Sequence, residues 1–168
     1  MRRALDTLYA VSGGLAALCM VGVLACVVTA IVTRQLNVYV AGMDAYAGYF
    51  MAGAGFLALA STLKHGEHIR VSLLLNALPR KGRLRLDVFA LLVGCVLAAA
   101  LAWFSAKLVH DSWLYNDVST GNDATPLWIP QLAMAAGAIL FLVALVDEAV
   151  DRLRGVEPSR PQEEQRHE

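Results

Sequence analysis

Four uncharged stretches organise this chain. Thr7–Thr33 contains no Asp, Glu, Lys or Arg over 27 residues, and Ala45–Leu63, Val88–Ala106 and Ala124–Val146 repeat the pattern over 19, 19 and 23. A helix rises about 1.5 Å per residue, so about 20 apolar residues cross a hydrocarbon core of about 30 Å. The pattern predicts an all-α membrane protein with four transmembrane helices, at about 8–33, 44–63, 86–109 and 127–154, after a short start at 1–7. The first is too long for the apolar region of a signal peptide, about 7–15 residues, and reads as a retained helix.

The segment between the second and third spans has its own pattern. Ile69, Val71, Leu73, Leu74, Leu75 and Leu78 are apolar, interrupted by Arg70, Ser72 and Asn76 and stopped by Pro79. Ten residues cannot span, so Ile69–Leu78 predicts a short interfacial helix, followed by a basic turn at Pro79–Arg85. The four-helix domain is expected to occupy 8–155. Beyond it, 156–168 carries Pro158, Pro161 and six charged residues with nothing to bury, which predicts a disordered tail.

Small residues mark the packing faces. The second span holds Gly48, Ala52, Gly53, Ala54, Gly55, Ala58 and Ala60, and in lipid such residues let helices approach closely. Gly94, Ala98, Ala102 and Ala106 form an expected ridge on the third span, and Gly22, Cys26 and Ala30 a shorter one on the first. Cys19, Cys26 and Cys95 all fall inside spans and read as small packing residues, with no disulfide or metal role.

Composition sharpens this reading. Of 168 residues 58% are hydrophobic and 17% charged, where soluble domains carry about 25% charge. The 14 basic and 14 acidic residues balance, but their distribution does not. Four spans place both termini on one side, and with them all the Lys and Arg residues except Arg34 and Lys107. The positive-inside rule then puts both termini and the central loop in the cytoplasm. The basic loop Arg80–Arg85 faces lipid headgroups, and no nucleic-acid partner is needed to explain it.

Chemistry is missing where a transporter working alone would keep it. The span centres offer Thr, Ser and Cys but no Asp, Glu, Lys, Arg, His, Asn or Gln and no helix-breaking proline. His65, His68 and His110 lie at span ends and His167 in the tail, so they cannot face one another across a haem, and no cofactor is expected. Asp147, Glu148 and Asp151, with Arg152 and Arg154, read as a solvated helix end. No catalytic, substrate-binding or metal residue emerges, and the chain is not read as an enzyme.

The stretch Lys64-His65-Gly66-Glu67-His68-Ile69-Arg70-Val71-Ser72-Leu73-Leu74, with Leu78-Pro79 after it, resembles the central loop of the small permease subunit (DctQ type) of TRAP transporters, the tripartite ATP-independent periplasmic uptake systems. Arg34 matches the arginine that follows the first helix in that family, and Gly66, His68 and Arg70 match its Gly-x-His-x-Arg. Thr125-Pro126-Leu127-Trp128-Ile129-Pro130 matches loosely the stretch before its last helix, and Gly137 stands where a small residue is common. The usual Trp-x-Glu before the second helix is absent; Asp44 is the only acid there.

The resemblance implies a multi-pass protein of the bacterial inner membrane. It would be a non-catalytic subunit bracing a large permease subunit, with a periplasmic solute-binding protein delivering an organic acid for sodium-driven symport. The alternative is a membrane-anchor subunit of a respiratory or other enzyme complex, which would need cofactor-ligating histidines in the spans. Arg34, Asp44, Gly66, His68 and Arg70 are the expected structural, partner or lipid-interface residues. Arg34 and Asp44 end and open consecutive helices, so an antiparallel hairpin brings them to one membrane face, where they either pair or each mark a helix end.

Overall fold

A computed structural model describes residues 2–38, 40–64, 80–121 and 123–153. Helix α1 runs Arg2–Gln35, α2 Met43–Lys64, α3 Arg80–Leu114 and α4 Trp128–Leu153. All four are long and apolar enough to cross a membrane. The expected interfacial helix at 69–78 and the expected disordered tail lie outside the described residues. The basic turn expected up to Arg85 is instead helical from Arg80. Arg, Lys and Leu are strong helix formers, and Gly82 alone does not break the run. At 34 and 35 residues, α1 and α3 are each about 50 Å long and extend past the hydrocarbon.

The helices stand in a row, α1–α2–α4–α3, because the three substantial interfaces are α1 with α2, α2 with α4 and α4 with α3. The inner pair is accordingly the most covered: over the most apolar 18 residues of each helix, 28% are buried in α4 and 22% in α2, against 17% in α3 and 6% in α1. Both edge helices turn large apolar side chains outward, among them Leu18, Val21 and Leu24 on α1 and Phe89, Val96 and Phe104 on α3. Lipid replaces water as their solvent, so these faces need no protein cover.

A regular seam runs down each edge helix. On α1, Leu5, Tyr9, Ser12, Ala16, Cys19, Val23, Cys26, Ala30 and Thr33 are buried or half-buried, stepping alternately by four and three residues. On α3 the seam is Leu91, Cys95, Ala98, Ala102, Ser105, Val109 and Ser112. Alternating steps average 3.5 residues, the spacing of left-handed coiled packing. This corrects the strict four-residue ridge expected on α3. Ala98 and Ala102 are buried, but Ala106 is exposed and Ser105 takes its place. Four residues turn 400°, so a ridge of fours drifts off the contact within a few steps. All three cysteines sit half-buried in these seams as free thiols.

Glycines set the closest approaches. A Cβ on Gly137 of α4 would sit 2.5 Å from both the carbonyl carbon and oxygen of Phe56, so α2 and α4 touch backbone to backbone there. Gly53 lies between Cys19 of α1 and Ala133 of α4 at 3.4 and 3.6 Å from its virtual Cβ. Near the end that carries both termini, Tyr9, Ala60 and Ala144 form a core from three helices, flanked by Leu5, Leu63 and Leu140.

At the opposite end, two helices stop in the same way. Asn37 adopts φ 55° after α1 and Asn116 φ 51° after α3. The Val38 N–H donates to the Thr33 carbonyl at 2.9 Å and the Asn37 N–H to the Arg34 carbonyl at 3.2 Å. The Asp117 N–H donates to Ser112 at 3.0 Å and the Asn116 N–H to Trp113 at 3.4 Å. These paired bonds around a left-handed residue are Schellman caps, and Asn fills the position that glycine usually takes.

Candidate functional site

The polar chemistry of the described residues lies at the two ends of the row. At the end with the termini, Lys64 closes α2 and reaches two neighbours. Its Nζ lies 3.2 Å from Asp147 Oδ2 on α4 and 3.8 Å from Asp6 Oδ1 on α1. It also stands 5.7 Å from the centre of the buried Tyr9 ring. One cation thus ties three helices together. Asp147, expected to be part of a solvated helix end, is only 23% exposed and is paired. The charge balance favours this: a lysine facing lipid would snorkel, whereas here two carboxylates hold it in place.

At the loop end, the α3–α4 connection folds back on itself. Val118 and Pro126 form an antiparallel bridge, the Ser119 N–H donates to the Thr125 carbonyl at 2.8 Å, and the Leu127 N–H donates to Asp117 at 3.0 Å. Asp123 is the hub. It accepts from the Ser119 hydroxyl at 2.7 Å and, at its other oxygen, from the Tyr49 hydroxyl at 3.0 Å. Tyr46 stacks edge-on against Tyr49 with ring centres 6.1 Å apart, and its hydroxyl lies 3.3 Å from that of Thr125. The Thr125 hydroxyl first, then those of Ser119 and Tyr49, hold the Asp123 carboxyl down to about 2, burial opposing them. Hydrogen bonds to the charged form favour it.

This loop fixes the turn between α1 and α2. Gly42 takes φ 82°, and a Cβ there would come 2.6 Å from the Asp123 Cβ. Only glycine provides both the left-handed backbone and the clearance. Beside that turn opens a cleft of about 920 Å³. Arg34 and Asp44 both line it, with Gln35, Asn37 and Gly121 on its polar part and Val27, Ala30 and Ile31 on its apolar part. Asp44 lies in the first turn of α2, where the helix dipole favours an anion.

The hairpin therefore brings Arg34 and Asp44 to one cleft, as its geometry requires, but no ion pair joins them among the described residues. Gly66, His68 and Arg70 lie outside the described residues. The sequence reading missed the Asp123 hub and the Lys64 tie. Tyr46, Tyr49 and Gly42 ahead of a polar loop carrying Asp117 and Asp123 were the available signal for the first. Lysine at one helix end and aspartate at another were the signal for the second. Among the described residues no three His, Cys, Asp or Glu side chains gather to hold a metal.

Comparison with known proteins identifies one family. The family model described as "Tripartite ATP-independent periplasmic transporters, DctQ component" matches residues 23–155, most of the chain. Among curated proteins, none matches the chain.

Proposed function

The chain belongs to the DctQ family of tripartite ATP-independent periplasmic transporter components, and on that premise we propose that it is a non-catalytic membrane subunit that braces a large permease subunit. The observation that carries this reading is the distribution of charge. Arg34, Asp44 and Asp123 lie at one end, Asp6, Lys64 and Asp147 at the other, and the four spans between them have no ionisable centre. A transport pathway needs polar groups at mid-depth. A brace needs rigid helices, and here small-residue seams and two charged ties supply the rigidity.

In this reading the large subunit carries the substrate and sodium sites, and a periplasmic solute-binding protein delivers an organic acid. Both termini and the segment Lys64–Arg85 face the bacterial cytoplasm, which puts the Asp123 hub and the Arg34–Asp44 cleft on the periplasmic side. The apolar outer faces of α1 and α3 are free to meet either lipid or the large subunit. Reconstitution tests the reading. The subunit alone in vesicles under a sodium gradient takes up no substrate, and the complete system does. Gradient-driven uptake by the lone subunit refutes the brace.

A further inference from the structure

The cleft at the α1–α2 turn has the layout of a phospholipid site, and we propose that it binds the headgroup of a zwitterionic phospholipid bearing a primary ammonium, phosphatidylethanolamine. The layout runs along α1. Val27 and Ile31, 43% and 56% exposed, open the cleft sideways toward the acyl region of the bilayer. Seven residues further along, about 10 Å on the helix rise, Arg34 stands at the level of the headgroups. The apolar-to-charged order matches that of a lipid lying alongside. The volume of about 920 Å³ falls in the range of small-molecule sites, enough for a headgroup and the upper part of its chains.

Charge selects the headgroup. The rim offers one cation, Arg34, and one anion, Asp44. Neither side chain has an ion-pair or hydrogen-bond partner among the described residues. Two opposite charges that share a cleft without meeting are complementary to a ligand carrying both signs. The phosphate takes Arg34, whose planar fork suits a phosphate. The ammonium donates to Asp44, while Gln35 and Asn37 offer amides to the glycerol esters. Phosphatidylcholine matches the charges but has no N–H to donate, and phosphatidylglycerol has no cation for Asp44.

The frame around the site is fixed. The cap at Thr33–Val38 holds the backbone beneath Arg34, and the contact of Gly42 with Asp123 holds the backbone ahead of Asp44. A site pre-set in this way loses little freedom when it is filled.

Native mass spectrometry of the full chain, exchanged into detergent with defined phosphatidylethanolamine, phosphatidylcholine and phosphatidylglycerol, tests the assignment. The unmodified chain retains phosphatidylethanolamine over phosphatidylcholine by about tenfold, the effect of one charge-assisted hydrogen bond. Asp44→Asn brings that ratio close to one, and Arg34→Gln lowers retention of phosphatidylethanolamine and phosphatidylglycerol alike. Both side chains are exposed, so the variants fold. Equal retention of the three lipids by the unmodified chain overturns the proposal. So does an Asp44→Asn variant that keeps the lipid preference but loses co-purification of a partner protein, which would give the cleft a protein occupant.

Discussion

Gly137→Ala is the sharpest single test of the helix row. The added methyl would sit 2.5 Å from the carbonyl carbon and oxygen of Phe56 and 2.8 Å from its Cβ. An unstrained carbon contact needs about 3.5 Å, so α2 and α4 must part by roughly 1 Å. No rotamer change relieves this, because the obstacle is backbone. Overpacking costs about 1–3 kcal/mol, and the backbone obstacle puts this case in the upper part of that range. The better helix propensity of alanine offsets about 1 kcal/mol, leaving a net loss of about 1–2 kcal/mol. The controls lie on α2. Cβ atoms on Gly48 and Gly55 meet nothing within 4 Å, so Gly48→Ala and Gly55→Ala gain propensity without a clash. Thermal unfolding of the purified chain in one detergent should rank Gly137→Ala several degrees below the unmodified protein, with both controls at or above it. Phe56→Ala should not rescue Gly137→Ala, since alanine keeps the carbonyl and Cβ that obstruct. A Gly137→Ala protein as stable as the Gly48→Ala control refutes the α2–α4 contact.

Three further outcomes follow from the ends of the row. Lys64→Gln should destabilise by about 1 kcal/mol and cost more than Asp6→Asn, because Asp147 lies closer and is 23% exposed against 56% for Asp6; equal effects in thermal unfolding would show that the α4 tie contributes nothing. The Asp123 carboxyl is held to about 2 from an ordinary 3.8, so the stability it gives the loop is complete above about pH 4 and is lost as pH falls toward 2. Hydrogen exchange at 117–127 should rise over that window in the unmodified chain and show no such rise in Asp123→Ala, and identical pH profiles would remove Asp123 as the hub. Enzyme fusions after Val40 and Gly121 should be active only for a reporter that works outside the cytoplasm; cytoplasmic activity at either point reverses the proposed orientation.

The spans were legible because a bilayer imposes a local demand: about 20 apolar residues in sequence satisfy it whatever the neighbours do. The order of the row is a different kind of fact. The charges and tyrosines at the helix ends were visible, but nothing in the chain selects Asp147, 83 residues away, as the partner of Lys64, or Asp123, 74 away, as that of Tyr49. Each pair exists because α4 returns beside α2 rather than α3 doing so. The glycines hold the reason, although their composition alone did not reveal it. Gly137 admits the α2 backbone directly, whereas the virtual Cβ of Gly94 on α3 meets only the Leu145 side chain, at 3.8 and 3.9 Å. On α1, Gly13 and Gly22 approach the Ser61 and Phe50 side chains, not backbone. The one backbone-to-backbone approach among these lies between α2 and α4, so these two helices form the centre and the others take the edges. Small residues in a span therefore announce that a helix will be packed, and only the atom each glycine meets shows which helix does the packing. The same reasoning explains Ala106. Its small side chain qualified it for the ridge, but the 3.5-residue seam passes through Ser105 instead.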